Sequence, residues 1–373
     1  VKNNLPAVRF FGKPYWTSGY GNATTNMCLA FSKSNVLTRF EISGKNKGMK
    51  NSLNNHAGET SVDFYIHTPP FGKHISKNYK IGYFYWEANV LPKSWAKDIR
   101  NNLDEIWAPC ELTRKACLKA GFKGPVEILH TPCDINIDYH NVQIPSPVTR
   151  ELVLSEETFK FYSVFQWNER KGYRELLRAY YEEFGENDNV ILILKVNPIN
   201  IERHGLSKIK FDILKAKRMA NKKDLPKIFL MMKHISREHL MGLHKLCDAF
   251  VLPHHGEGWG MPIHDAMLCD SKVITTKFGG ITELLNDDNA SIIKHKLGPV
   301  KRMDWNPWYG SYQMWANPSV THLRSLMRTV FENKNSDLYK LENAKKLAAS
   351  LDVNSCALRI EQILSKNRFK RFL

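Results

Sequence analysis

The chain has 373 residues, 43% of them hydrophobic and 24% charged, enough for two globular domains with their own cores. Its 21 Gly and 17 Pro are too few for a collagen-like or low-complexity protein, and no apolar run reaches the roughly 18 residues of a bilayer-spanning helix. The formal charge of +17 is spread along the chain, with 19 Lys and Arg against 11 Asp and Glu in residues 1–150 and 35 against 26 in the remainder. Such a field attracts anions as a class and does not choose among nucleotide phosphates, phosphorylated glycans, anionic membrane and nucleic acid. Val1-Lys2-Asn3-Asn4 opens the chain without a secretory core. The seven cysteines (Cys28, Cys110, Cys117, Cys133, Cys247, Cys269 and Cys356) are scattered and form no CxxC pair. The expectation is a soluble protein with buried thiols in a reducing compartment.

In chain order, residues 8–11 read as a strand, 17–21 as a Gly/Ser turn and 23–31 as a helix. Strands follow at 36–42, 62–67, 80–86, 105–108 and 126–130, with helices at 94–102 and 111–120. Residues 136–157 hold Pro145 and Pro147 without periodicity and read as a connection between domains. Alternation restarts with strands at 159–167, 190–196, 227–232, 249–253 and 272–276 and helices at 172–184, 237–246, 262–268 and from 281. Amphipathic helix dominates from about 319. The expected fold is α/β, two Rossmann-like doubly wound domains at 1–150 and 151–340 with a helical tail at 341–373. In such sheets, ligands bind at the carboxyl ends of strands, so the cleft between two such domains is the expected site.

The sharpest segment is His254-His255-Gly256-Glu257-Gly258-Trp259-Gly260-Met261-Pro262-Ile263-His264-Asp265, directly after a strand. Gly258 and Gly260 allow close backbone approach, Pro262 suits a first helical turn, and a helix N-terminus offers N–H groups to a phosphate or sugar oxygen. Glu257 and Asp265 can accept hydrogen bonds from vicinal hydroxyls, although a turn with a capping carboxylate has the same spacing. Arg170 and Lys171 follow the first strand of the second half, where they suit a diphosphate, and Lys195 ends the next strand. Gly279-Gly280 and Glu283 follow residues 272–276, and Gly19 and Gly21 follow the first strand of the chain. Trp86 offers a stacking face and Glu87 a polar contact, while His67 closes the strand before them. His254-His255 has no third ligand at metal-binding spacing, so no metal is expected. The aromatic stretch 305–315 is expected to pack in the core or between domains.

Glu257 with Asp265 eight positions later resembles the signature of retaining glycosyltransferases of family 4, which have the GT-B fold, with Asp265 where the family carries a second Glu. Lys277-Phe278-Gly279-Gly280-Ile281-Thr282-Glu283 is similar to that family's Gly-Gly-x-x-Glu segment, and Gly19-Tyr20-Gly21 to its N-terminal glycine loop. Family members usually carry an Arg where Phe165 stands, so Arg170 or Lys195 is expected to replace its charge. The resemblance runs from about residue 8 to 283 and implies a metal-independent hexosyltransferase with no permanently bound cofactor, using a UDP- or GDP-type nucleotide-diphosphate sugar as donor. On it, Glu257, Arg170, Lys171 and His67 are the catalytic candidates. Gly19, Gly21, Lys195, Gly258, Trp259, Gly260, Met261, Asp265, Gly279, Gly280 and Glu283 would bind the donor, with Asp265 on the ribose. Trp86 and Glu87 would lie on the acceptor side. The acceptor implied is an anionic or membrane-associated glycan, with the protein cytoplasmic or peripheral at the inner membrane face. Two alternatives stand beside it. DNA as acceptor is suggested by the charge, the basic loop 44–50 and Lys73, Lys77 and Lys80. A nucleotide-sugar epimerase would share the architecture.

Overall fold

The computed structural model describes residues 5–14, 18–43, 53, 58–73, 76–133, 157–198, 203–336 and 338–372. The basic loop 44–50 and most of the connection at 136–157 lie outside them. The chain divides into two compact units, Val1–Ile137 with Ala348–Leu373, and Asp138–Leu347.

The first unit holds β1 (Val8–Gly12), α1 (Gly19–Lys33), β2 (Thr38–Ile42), β3 (Val62–Ile66), β4 (Tyr79–Tyr83), α2 (Lys93–Asn102), β5 (Glu105–Ala108), α3 (Glu111–Lys119) and β6 (Val126–Ile128). All six strands are parallel, in the order β2-β1-β3-β4-β5-β6. β3 is buried along its whole length, as a parallel strand covered on both faces must be. Its one acid, Asp63, is held by Arg9 at 2.9 Å and by the Tyr65 hydroxyl and the Asn78 amide. The Ser18 hydroxyl caps α1 by accepting from Gly21 N at 3.0 Å. Strand order reverses between β1 and β3, and the segments after these strands lead to Gly19 and His67.

The sequence expectation of a separate tail at 341–373 is not met, because residues from Ala348 onward belong to this first unit. Cys133 N donates to Leu351 O at 2.8 Å, and α10 (Val353–Leu364) packs on α1 through its buried face, with Cys356 against Met27. Beyond it, Arg368 donates to the buried carboxylate of Glu105 at 2.6 and 2.8 Å, and Lys366 and Arg368 both reach Glu127. Burial would raise the Glu127 carboxyl's pKa, but these two cations hold it below the ordinary value. The helical pattern was legible; its destination depends on ion pairs that span more than 230 residues.

The second unit holds β7 (Phe159–Gln166), α4 (Tyr173–Glu183), β8 (Val190–Asn197), α5 (Arg203–Ala220), β9 (Lys227–Met231), α6 (Arg237–Leu246), β10 (Ala249–Leu252), α7 (Met261–Leu268), β11 (Lys272–Thr276), β12 (Ser291–Ile293), β13 (His295–Pro299), β14 (Met314–Pro318), α8 (Val320–Glu332) and α9 (Leu338–Ser350) up to Leu347. Its six-stranded parallel sheet runs β12-β11-β10-β7-β8-β9, and β13 and β14 form an antiparallel pair. The reversal lies between β7 and β10, so the segments after those two strands line the place where doubly wound sheets bind ligands. The aromatic stretch divides. Trp315 is buried against His255, with ring centroids 4.6 Å apart, whereas Trp305 and Tyr312 are about half exposed, at 49% and 51%.

Candidate active site

A single turn of 3-10 helix, Glu169–Lys171, follows β7 and ends at Gly172 in the left-handed region (φ 68°). Only glycine fits there, since an added Cβ would sit 1.8 Å from Pro253 O. That contact ties the segment after β7 to the end of β10, and His255 N donates to Arg170 O at 2.7 Å. The backbones on both sides of the strand reversal are thus fastened together before any side chain acts.

The side chains complete the junction. Lys171 Nζ donates to Glu257 Oε1, Arg170 Nη1 lies 3.3 Å from the same oxygen, and Arg170 also donates to Gly256 O at 2.7 Å. Glu257 is 5% exposed. Burial alone would raise its pKa; Lys171 and Arg170 overcome that and bring it from 4.5 down to about 2. The carboxylate is therefore charged at neutral pH. Its backbone is held too: Gly280 N donates to Glu257 O at 2.8 Å, and Glu257 pairs with Gly279 in an isolated parallel bridge. Gly279 and Gly280 thus brace the acid, and the short helix expected from 281 is one 3-10 turn, Gly280–Glu283, with Glu283 exposed.

Gly260 is the N-cap of α7, whose first residue is Met261 and whose first turn holds Pro262. The peptide dipoles of this helix therefore point their positive end toward the segment that carries Glu257. Trp259 is buried and donates its indole N–H to His264 Nδ1 at 3.2 Å. His254 is fully buried; burial pushes its pKa down to about 3, so it is neutral, and neither ring nitrogen finds a hydrogen-bond partner among the described residues.

Several expectations need correction. Asp265 was expected on a ribose, yet both its oxygens are taken by Arg237, at 2.5 and 2.6 Å, and the residue is 1% exposed. Burial opposes ionisation of Asp265, and Arg237 overcomes it, holding the pKa below the ordinary value. Arg237, the first residue of α6 and 28 positions upstream, was not singled out by the sequence, because no local pattern joins it to Asp265. Arg237→Ala should leave a buried charge alone and cost about 3–5 kcal/mol, read as a lower urea midpoint; Arg237→Lys, lacking the two-pronged fork, should recover only part of it. Trp86 was expected to offer a stacking face, but it is 1% exposed, donates to Val90 O at 2.8 Å and packs on Trp95. It is a core residue. Phe165, where an Arg was looked for, is buried and stacked on Trp167, whose indole N–H donates to Asp212.

The other candidates are spread over both units. Lys195, near the end of β8, is buried, donates to Asn197 Oδ1 at 3.0 Å and has its pKa lowered by burial. In the first unit, Gly19 and Gly21 lie in the first turn of α1 rather than in a loop. Glu87 is half-buried after β4. The His67 ring packs against Phe71 and Tyr65, with Nδ1 2.8 Å from Thr68 O.

Known proteins resemble the chain both in sequence and in fold. Residues 149–296 match the model of glycosyl transferases group 1. The matched segment contains Arg170, Lys171, Glu257 and Gly279. The chain is 26% identical over 138 residues to the serotype-specific mannosyltransferase WbdA of Escherichia coli, a match covering 36% of this chain and only 16% of that protein. Across nearly the whole chain it resembles Anabaena Alr3699/HepE, solved with UDP and glucose (TM-score 0.68, 14% identity, 96% of this chain and 99% of that one). It also resembles a glycosyltransferase from Rickettsia africae (TM-score 0.67, 12% identity, 98% and 100%). At these identities the likeness establishes the fold, which is GT-B, with two Rossmann-like units.

Proposed function

We propose that the protein is a retaining glycosyltransferase that moves a sugar from a UDP- or GDP-type nucleotide-diphosphate sugar to a hydroxyl of a glycan or lipid-linked glycan. The observation that carries this is the convergence of Lys171 and Arg170 on Glu257 at the strand reversal of the second unit. Breaking a sugar–phosphate bond leaves negative charge on the departing diphosphate. Two nearby cations and the amino end of α7 are the groups that offset it with positive charge. Glu257 holds the cations in place and accepts hydrogen bonds from sugar hydroxyls.

A carboxylate with a pKa of about 2 is a poor base, so Glu257 does not take the acceptor's proton. That proton goes to the leaving diphosphate as the acceptor oxygen bonds the anomeric carbon from the face the phosphate vacates, which retains configuration. Acceptor contacts are assigned to the first unit, through Glu87 and His67. All seven cysteines are free and buried, which supports a reducing, cytoplasmic setting.

UDP-glucose, GDP-mannose and ADP-glucose, each added to the full chain in a thermal melt, test the reading. A donor at about 100 times its Kd should stabilise the fold by about 2.7 kcal/mol, and the same donor should be consumed when acceptor glycans are supplied. No shift and no turnover with any UDP or GDP sugar would sink the proposal.

A further inference from the structure

Helix α5 presents a face that the fold itself does not need. Its inner side is anchored: Ile209 and Asp212 are buried, and Asp212 accepts from the Trp167 indole at 3.0 Å and from Lys208 at 3.1 Å. Its outer side leaves Phe211 60% and Leu214 52% exposed. Phe211 and Leu214 are three apart and so lie together on the helix surface. Around them on the same side stand Lys210, Lys215, Lys217 and Arg218, all exposed. Between 203 and 223 the sequence holds eight Lys and Arg, and Asp212, already paired and turned inward, is the one acid. Next to it in sequence, edge strand β9 opens on exposed Lys227, and its next three residues are only half-buried.

We infer that the outer face of α5 docks the protein on the surface of an anionic lipid bilayer. The charge decides the occupant. Four exposed cations around an apolar patch match a sheet of phosphate headgroups, into which Phe211 and Leu214 can sink while the Lys and Arg stems stay at the polar boundary. A free polyanion such as nucleic acid would use the cations and leave the apolar side chains without a role. No helix among the described residues is long and apolar enough to cross a membrane, so the contact is a peripheral one. The inference stands apart from the sugar-transfer proposal, because α5 holds none of the residues placed in that chemistry.

Co-sedimentation of the full chain with phosphatidylcholine vesicles, with and without 30 mol% phosphatidylglycerol, tests it. Binding should require the anionic lipid. The double variant Phe211→Ser/Leu214→Ser should weaken it at least tenfold, and Lys210→Glu/Lys215→Glu/Arg218→Glu should abolish it. Both variants should keep their melting temperature and their turnover of soluble substrates. Failure of the native chain to bind these vesicles overturns the inference. So does unchanged vesicle binding in the double variant, which would mark the face as a site for polyanions at large.

Discussion

Glu257→Gln should lower transfer by about 10²–10³-fold while the protein still folds, measured as kcat with a saturating donor. The amide keeps the shape of the side chain but loses the charge that pins Lys171 and Arg170, and half of its polar end becomes a donor facing two donors. Lys171→Ala, which removes the closer cation, should act on the same step and bring a similar loss. Because the two residues work as one unit, the double variant should be little worse than either single one. Stability carries a second signature. The native carboxyl has its pKa depressed from 4.5 to about 2, so its contribution is complete above 4.5 and fades as pH falls toward 2. The native chain's advantage over Glu257→Gln in denaturant should follow that window, large at neutral pH and shrinking in acid. Full kcat in the Gln variant would remove Glu257 from the reaction.

Much of this site was legible because its parts are local. The run from His254 to Asp265 announces a strand, a tight turn and a helix in one stretch, and Arg170-Lys171 sits at the corresponding place after β7. What the sequence could not report is which groups neutralise one another. Asp265 and Arg237 are 28 residues apart, and Trp86 reads the same whether it faces solvent or Trp95. The elements missed in the strand-and-helix reading have physical causes as well. Helix α5 leaves Phe211 and Leu214 exposed while burying Ile209, so its apolar positions do not mark one buried face, and the short strands β12, β13 and β14 carry little alternation. The return of α10 to the first unit rests on contacts between the two ends of the chain, which no window of sequence contains.

The glycine pair expected to bind the donor also has a mechanical part, and Gly279→Ala should expose it. Gly279 has φ 104° and ψ −153°, a region held almost entirely by glycine, and a Cβ there would lie 2.0 Å from Glu257 O and 2.8 Å from Glu257 N. The backbone region alone costs about 1–3 kcal/mol, and the clash falls on peptide atoms, which cannot rotate aside. Relief requires the segment at 279 to move away from Glu257, breaking the bridge that sets the carboxylate's height above Lys171. The expected result is a fall of roughly 5–10 °C in the unfolding midpoint, together with a loss of kcat approaching that of Glu257→Gln. Gly19→Ala makes the contrast, since its Cβ would meet nothing within 4 Å and its stability should be unchanged. A Gly279→Ala protein that melts like the native chain and turns over normally would mean that Glu257 is positioned by its own strand and helix alone.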